Sequence, residues 1–175
     1  YYATGIKEIT EKVSIPKGSF YNHFTNKEEF GLEVVQMYCD NGIQMYEKAF
    51  LNKAQKPLDR VEAFFNRLIG VYENEMHFKL GCIMGNFSTE LSDTNEKFRL
   101  LLDDEFDKCE AIIARCLIEA QAEGNLSADK DAEQLAAFIL NGWHGAMLRM
   151  KTTGSSKPLK DCKDMVMNFL LVMVM

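Results

Sequence analysis

From Leu58 onward apolar residues return every three or four positions, at Val61, Phe64, Phe65, Leu68, Ile69 and Tyr72. A helix gathers such positions on one face, whereas a half-buried strand needs alternation at every second residue. The same spacing recurs in Phe98, Leu101, Leu102, Phe106, Cys109, Ile112, Ile113, Cys116, Leu117 and Ala120, and again in Leu135, Ile139, Trp143, Met147 and Met150. No stretch of the 175 residues sustains a period of two, so the chain is predicted to be all-α, without repeats or low-complexity segments. Punctuation agrees. Pro57 and Pro158 stand at the heads of amphipathic runs, where a first turn tolerates a missing N–H. Gly124 should close one helix, Asp129 or Asp131 open the next, and Gly154-Ser155-Ser156 end it. A shorter helical segment is expected over 81–91, and a last helix carrying Met165, Val166, Phe169 and Val172.

A chain of this length with 47% hydrophobic residues can bury one sizeable core. The formal charge of -6 excludes a surface that is basic all over, so any nucleic-acid contact must come from a local patch. Cys39, Cys82, Cys109, Cys116 and Cys162 form no C-x-x-C pair; their odd number points to free thiols in a reducing, cytoplasmic setting. Cys109 and Cys116 share a helical face but lie about 10 Å apart along the axis and cannot bridge. The longest apolar run, near the C-terminus, is far short of the roughly 20 residues of a membrane span. His77 and His144 have no partners at metal-ligand spacing, and neither a metal nor a cofactor is expected. The motifs H-E-x-x-H, G-x-x-x-x-G-K-[ST] and G-x-S-x-G are missing, which argues against an enzyme.

The stretch SIPKGSFYNHFTNKEEF, residues 14–30, lies ahead of these runs and holds no amphipathic helix long enough to explain its residues as core. Before it, residues 4–13 suit a short helix with Ile6, Ile9 and Val13 turned inward, broken at Ser14-Ile15-Pro16. A second short helix should span 17–24. A third should start after Thr25 or Asn26, whose side chains can accept from free N–H groups, with Glu28 and Glu29 near its positive end. Two short helices joined by a tight turn and backed by a third make a helix-turn-helix, whose second helix enters the DNA major groove.

The residues Thr4-Gly5-Ile6-Lys7-Glu8-Ile9, Pro16-Lys17-Gly18-Ser19-Phe20-Tyr21-Asn22-His23-Phe24 and Asn26-Lys27-Glu28-Glu29-Phe30 resemble the DNA-binding signature of the TetR family of bacterial repressors. The resemblance implies a helix-turn-helix domain over 1–36 and a helical effector-binding and dimerisation domain over 37–175. It also implies a further helix ahead of Tyr1, which this sequence does not contain. Thr4, Lys17, Gly18, Ser19, Tyr21, Asn22, His23 and Lys27 are the implied DNA contacts. Their chemistry fits: a hydroxyl at a helix start and two ammonium groups suit phosphates, and small or polar side chains can approach base edges. The balance of Lys7, Lys12, Lys17 and Lys27 against Glu8, Glu11, Glu28, Glu29 and Glu33 leaves this segment with no net attraction for DNA.

For the larger domain the resemblance implies a homodimer through its last two helices, at 131–151 and 158–175, and an inducer cavity. Phe65, Ile69, Met84, Phe87, Phe106, Trp143 and Met147 are candidates to line it, although such stripes also build ordinary core. Residues 81–93, GCIMGNFSTELSD, resemble a subgroup that answers electrophiles and oxidants through a cysteine here, partnered by a lysine that aligns with Lys151. A cysteine at a helix start has its thiolate favoured by free N–H groups, so Cys82 is expected to be reactive at neutral pH unless it is simple core filling. The expected function is a homodimeric repressor released from a palindromic operator by a small molecule or by reaction at Cys82. The alternative is an all-α scaffold that kept the fold without specific DNA binding.

Overall fold

The structure, a computed structural model, describes residues 1–172. Residues 173–175, the end of the last predicted helix and of the second predicted domain, lie outside the described residues. Among the described residues eight α-helices follow one another: α1 Ile6–Lys12, α2 Lys17–Phe20, α3 Lys27–Phe50, α4 Pro57–Asn74, α5 Ile83–Leu91, α6 Glu96–Ala122, α7 Ala132–Thr153 and α8 Lys157–Met165. A π-helical turn, Val166–Leu170, continues α8.

Local chemistry explains the boundaries. The Asn26 side chain accepts from the Glu29 N–H, Asn95 from Phe98, and Asp131 from both Glu133 and Gln134, so α3, α6 and α7 each begin on a polar cap. Pro57 occupies the first turn of α4 and Pro158 that of α8. Gly124 and Gly154 adopt φ of +73° and +59° just beyond α6 and α7, a left-handed conformation that glycine reaches at no steric cost.

Two points differ from the sequence reading. The second helix is a single turn, Lys17–Phe20, rather than a run to residue 24; Tyr21, Asn22 and His23 form a turn closed by Phe24 N–H donating to the Phe20 carbonyl at 3.0 Å. Val13 is exposed at the end of α1, where the chain turns off with Ser14 in the left-handed region, while Ile6 and Ile9 are half-buried.

The main core lies between α4, α6, α7 and α8, around Phe64, Phe65, Ile113, Leu117, Ile139, Leu140, Trp143 and Leu159. A smaller cluster of Val35, Cys39, Met84, Leu91, Phe98 and Leu102 joins α3, α5 and α6. Helix α3 takes part in both layers, because it runs unbroken from Lys27 through residue 36 to Phe50.

Candidate functional site

Helix α2 is pinned from below. Phe20 is buried, and its ring lies 5.3 Å from that of Phe24 and 5.5 Å from that of Phe30, with Phe24 and Phe30 5.0 Å apart. With Phe20 turned in, Lys17, Gly18, Tyr21, Asn22 and His23 are exposed and Ser19 is half-buried. A Cβ on Gly18 would meet no atom of the chain within 4 Å, so internal packing does not require glycine there. Close approach of an outside surface would.

Two implied contacts sit differently. Thr4 precedes Gly5, the residue that caps α1, and is half-buried rather than placed at the cap. Lys27 is half-buried, with Nζ donating to the Tyr1 carbonyl at 2.5 Å and lying 4.2 Å from the Tyr1 ring centre, so its ammonium is engaged within the chain.

The start of α3 anchors this surface to the body. Glu29 accepts from the Thr25 backbone N–H and hydroxyl, and these bonds hold its carboxyl below the usual range. Glu28 accepts from Lys97 and Asn95 at the head of α6, which likewise lowers it. Farther along, Gln36 donates to Glu105 of α6 at 2.9 Å.

Beyond that bond, α3, α4, α6 and α7 enclose a cavity of about 240 Å³. Of the candidates, Met84, Phe106, Trp143 and Met147 stand in its wall. Phe65, Ile69 and Phe87 do not: Phe65 packs on Trp143 in the main core, Ile69 is buried beside it, and Phe87 stacks on Phe98 at 5.8 Å. Their spacing was that of a core face. The sequence reading did not assign Tyr38, Cys39, Tyr46, Tyr72, Met76 or Glu105 to this wall. Glu105 did leave a signal, a carboxylate inside the stripe Leu101, Leu102, Phe106, Cys109. Burial pushes the hydroxyls of Tyr38 and Tyr46 up and that of Tyr72 to about 12, so all three stay protonated donors; Tyr72 donates to Met147 Sδ at 3.1 Å.

An open groove of about 260 Å³ lies outside this cavity between α5 and α7. Gly81, Cys82, His144 and Met147 line both spaces, forming the partition between them. Cys82 caps α5, and Lys151 lines the same groove, with Nζ donating to Asn86 Oδ1 at 3.3 Å. The structure thus brings these two residues together. It corrects the expected thiolate, however: burial pushes the Cys82 thiol above its ordinary value and outweighs the lowering by the Gly85 and Met84 N–H groups and the Tyr38 hydroxyl. His144 is held low by burial and stays neutral, its Nδ1 at 2.9 Å from the Leu140 carbonyl. The loop leading into Cys82 places His77, Phe78 and Leu80 at positive φ.

A one-turn helix with an exposed polar rim, mounted on a helical body with an internal cavity, is the layout of a helix-turn-helix protein with a larger helical domain. Residues 1–34 match bacterial regulatory proteins of the tetR family, and residues 57–166 match the tetracyclin repressor-like C-terminal domain. The chain therefore belongs to the TetR family: it is a DNA-binding transcriptional repressor and not an enzyme. It is 32% identical to the HTH-type transcriptional repressor DhaR of Mycobacterium sp. (strain GP1), over 98% of this chain and 84% of that one. To the transcriptional regulator AcuR of Cereibacter sphaeroides it is 35% identical, over 91% and 72%. The crystal structure of regulatory protein TetR from Rhodobacter sphaeroides superposes with a TM-score of 0.88 at 33% identity, covering 96% of this chain and 88% of that one.

Proposed function

We propose that the protein acts in the cytoplasm as a homodimer that represses from a palindromic operator and releases the DNA when a small molecule enters the cavity. One observation carries this reading: α3 is a single helix with its first turn beside the α2 surface and Tyr38, Cys39 and Tyr46 in the cavity wall. A ligand that tilts α3 at the cavity moves the DNA-facing end, because packed helices shift as units between discrete arrangements. Lys17, Tyr21 and His23 meet phosphates, and Gly18, Ser19 and Asn22 approach bases; Thr4 and Lys27 are weaker candidates given their positions. No helix among the described residues is long and apolar enough to cross a membrane.

A second trigger is supported by the shared groove of Cys82 and Lys151: covalent reaction at Cys82, in the partition beside the cavity. The test is a gel shift on palindromic duplexes at graded salt. Binding whose salt slope drops by about one unit in Lys17→Ala supports the repressor. Absence of any salt-dependent shift would leave an all-α scaffold without DNA binding.

A further inference from the structure

Resting on the cavity reading above, we infer that the inducer is a small neutral molecule that offers a hydrogen-bond donor to Glu105 and an acceptor to Trp143. Among the described residues, two buried side-chain polar atoms have no hydrogen-bond partner: Glu105 Oε2 and Trp143 Nε1. Folded proteins retain few such orphans, and each calls for a reason. Here both residues, 1% and 2% exposed, stand in the wall of the same cavity, and because the two atoms are themselves covered, a ligand reaches them as the wall side chains shift. One orphan only accepts and the other only donates.

The surroundings narrow the chemistry. Glu105 Oε1 already accepts from Gln36 at 2.9 Å and from Lys108 Nζ at 2.7 Å. Lys108 offsets the carboxylate's charge, so the ligand need not bring a cation. Arg67 also lines the space but is exposed to solvent, so an anionic group placed against Glu105 and Trp143 would still meet the carboxylate. Met45, Leu68, Val71, Met76 and Phe106 make the rest of the wall largely apolar. At about 240 Å³ the space exceeds the roughly 150 Å³ cavity known to hold benzene, leaving room for one ring or branched aliphatic body and one polar group. A primary amide carries the required donor and acceptor on a single carbon, and a carboxylate of the same shape lacks the donor.

Benzamide and benzoate test this as an isosteric pair, titrated calorimetrically into the full chain without DNA. Benzamide is expected to bind about tenfold or more tighter than benzoate, and Trp143→Phe to weaken it about fivefold. Glu105→Gln, which supplies a donor in place of a charge, should shrink the preference to about threefold or less. Equal affinity for the two probes, no binding of either at millimolar concentration, or an unchanged preference in Glu105→Gln would each overturn the inference. Should Glu105→Gln not fold by circular dichroism, Trp143→Phe decides: unchanged benzamide affinity there overturns it. Because the titration holds no DNA, its failure leaves the repressor reading standing. That reading fails separately, on a ligand-free operator that does not shift.

Discussion

Arg60 shows what one side chain can carry. It is 2% exposed, and its guanidinium donates to the Gln55 and Phe50 carbonyls at 2.8 and 3.1 Å and to both Glu119 oxygens at 2.9 Å. The α3–α4 loop is thereby tied to α6. Arg60→Met leaves two carbonyls and a carboxylate without their donor and should cost about 3 kcal/mol in urea unfolding. Arg60→Lys should recover only part, since an ammonium cannot make the fork. A loss below about 1 kcal/mol for Met would mean that water replaces the guanidinium freely. The cysteines separate on the same principle of burial. Cys39 and Cys109 are pushed to about 12 and Cys116 to about 11, while Cys82 and Cys162 are half-buried. Cys82 and Cys162 should therefore alkylate first, and Cys82 faster as pH rises past neutrality, because only the thiolate reacts. Rapid labelling of Cys82 at pH 6 would restore the thiolate that its place at the head of α5 suggested. In that case release from DNA by oxidant should vanish in Cys82→Ser.

At the scale of elements, the first turn of α3 is the acid-sensitive joint. Glu28 and Glu29 are both held below the usual carboxylate range by the hydrogen bonds they accept, from Lys97 and Asn95 and from Thr25. A depressed folded pKa means stability that is present above the unfolded value and lost as pH falls through the folded one. As pH drops below about 4, amide resonances of residues 25–30 should lose dispersion before those of α7, and Glu28→Gln should weaken the joint already at neutral pH. Simultaneous loss throughout the chain would show that the joint is no weaker than the core. The loop ahead of α5 holds a different stress: Leu80 is 68% exposed at φ +71°, so Leu80→Gly should raise stability by up to about 1 kcal/mol in thermal melts. A drop instead would show that the loop is bound by contacts of the leucine side chain. The long helices and their caps at Asn26 and Asp131 were legible because period and capping chemistry are local. The end of α2 was not, since Tyr21 to His23 could continue a helix by propensity and are turned aside by the packing of Phe20, Phe24 and Phe30. Nor was the cavity, because a wall residue such as Met147 and a core residue such as Phe65 obey the same period, and only three-dimensional packing separates them.

For the whole molecule, the homodimer proposed above places on the outer faces of α7 and of the chain beyond it the decision whether two DNA-binding heads can act together. Phe138 on α7 is 58% exposed, Met165 at the end of α8 50%, and Phe169 in the π-helical turn 69%. Met165, Phe169 and Val172 follow one another at four and three residues, the spacing of a single apolar stripe, and all three are exposed. Within one copy these side chains gain nothing from burial. On the homodimer reading proposed above, the same patch would meet itself across a two-fold axis, as an isologous interface requires. Helices α7 and α8 are packed closely enough to present one surface, for a Cβ on Gly142 would lie 3.7 Å from Cys162 Sγ. Phe169→Asp should therefore drive the protein to monomer in light scattering without lowering its helicity, because the residue contributes little to the fold of its own copy. DNA affinity should fall with it, since a palindromic operator needs two recognition helices about 34 Å apart, which a lone copy cannot supply. A Phe169→Asp protein that stays dimeric and keeps its operator affinity would move the interface off this face, and a monomer that still binds the full operator as tightly would remove the need for a dimer.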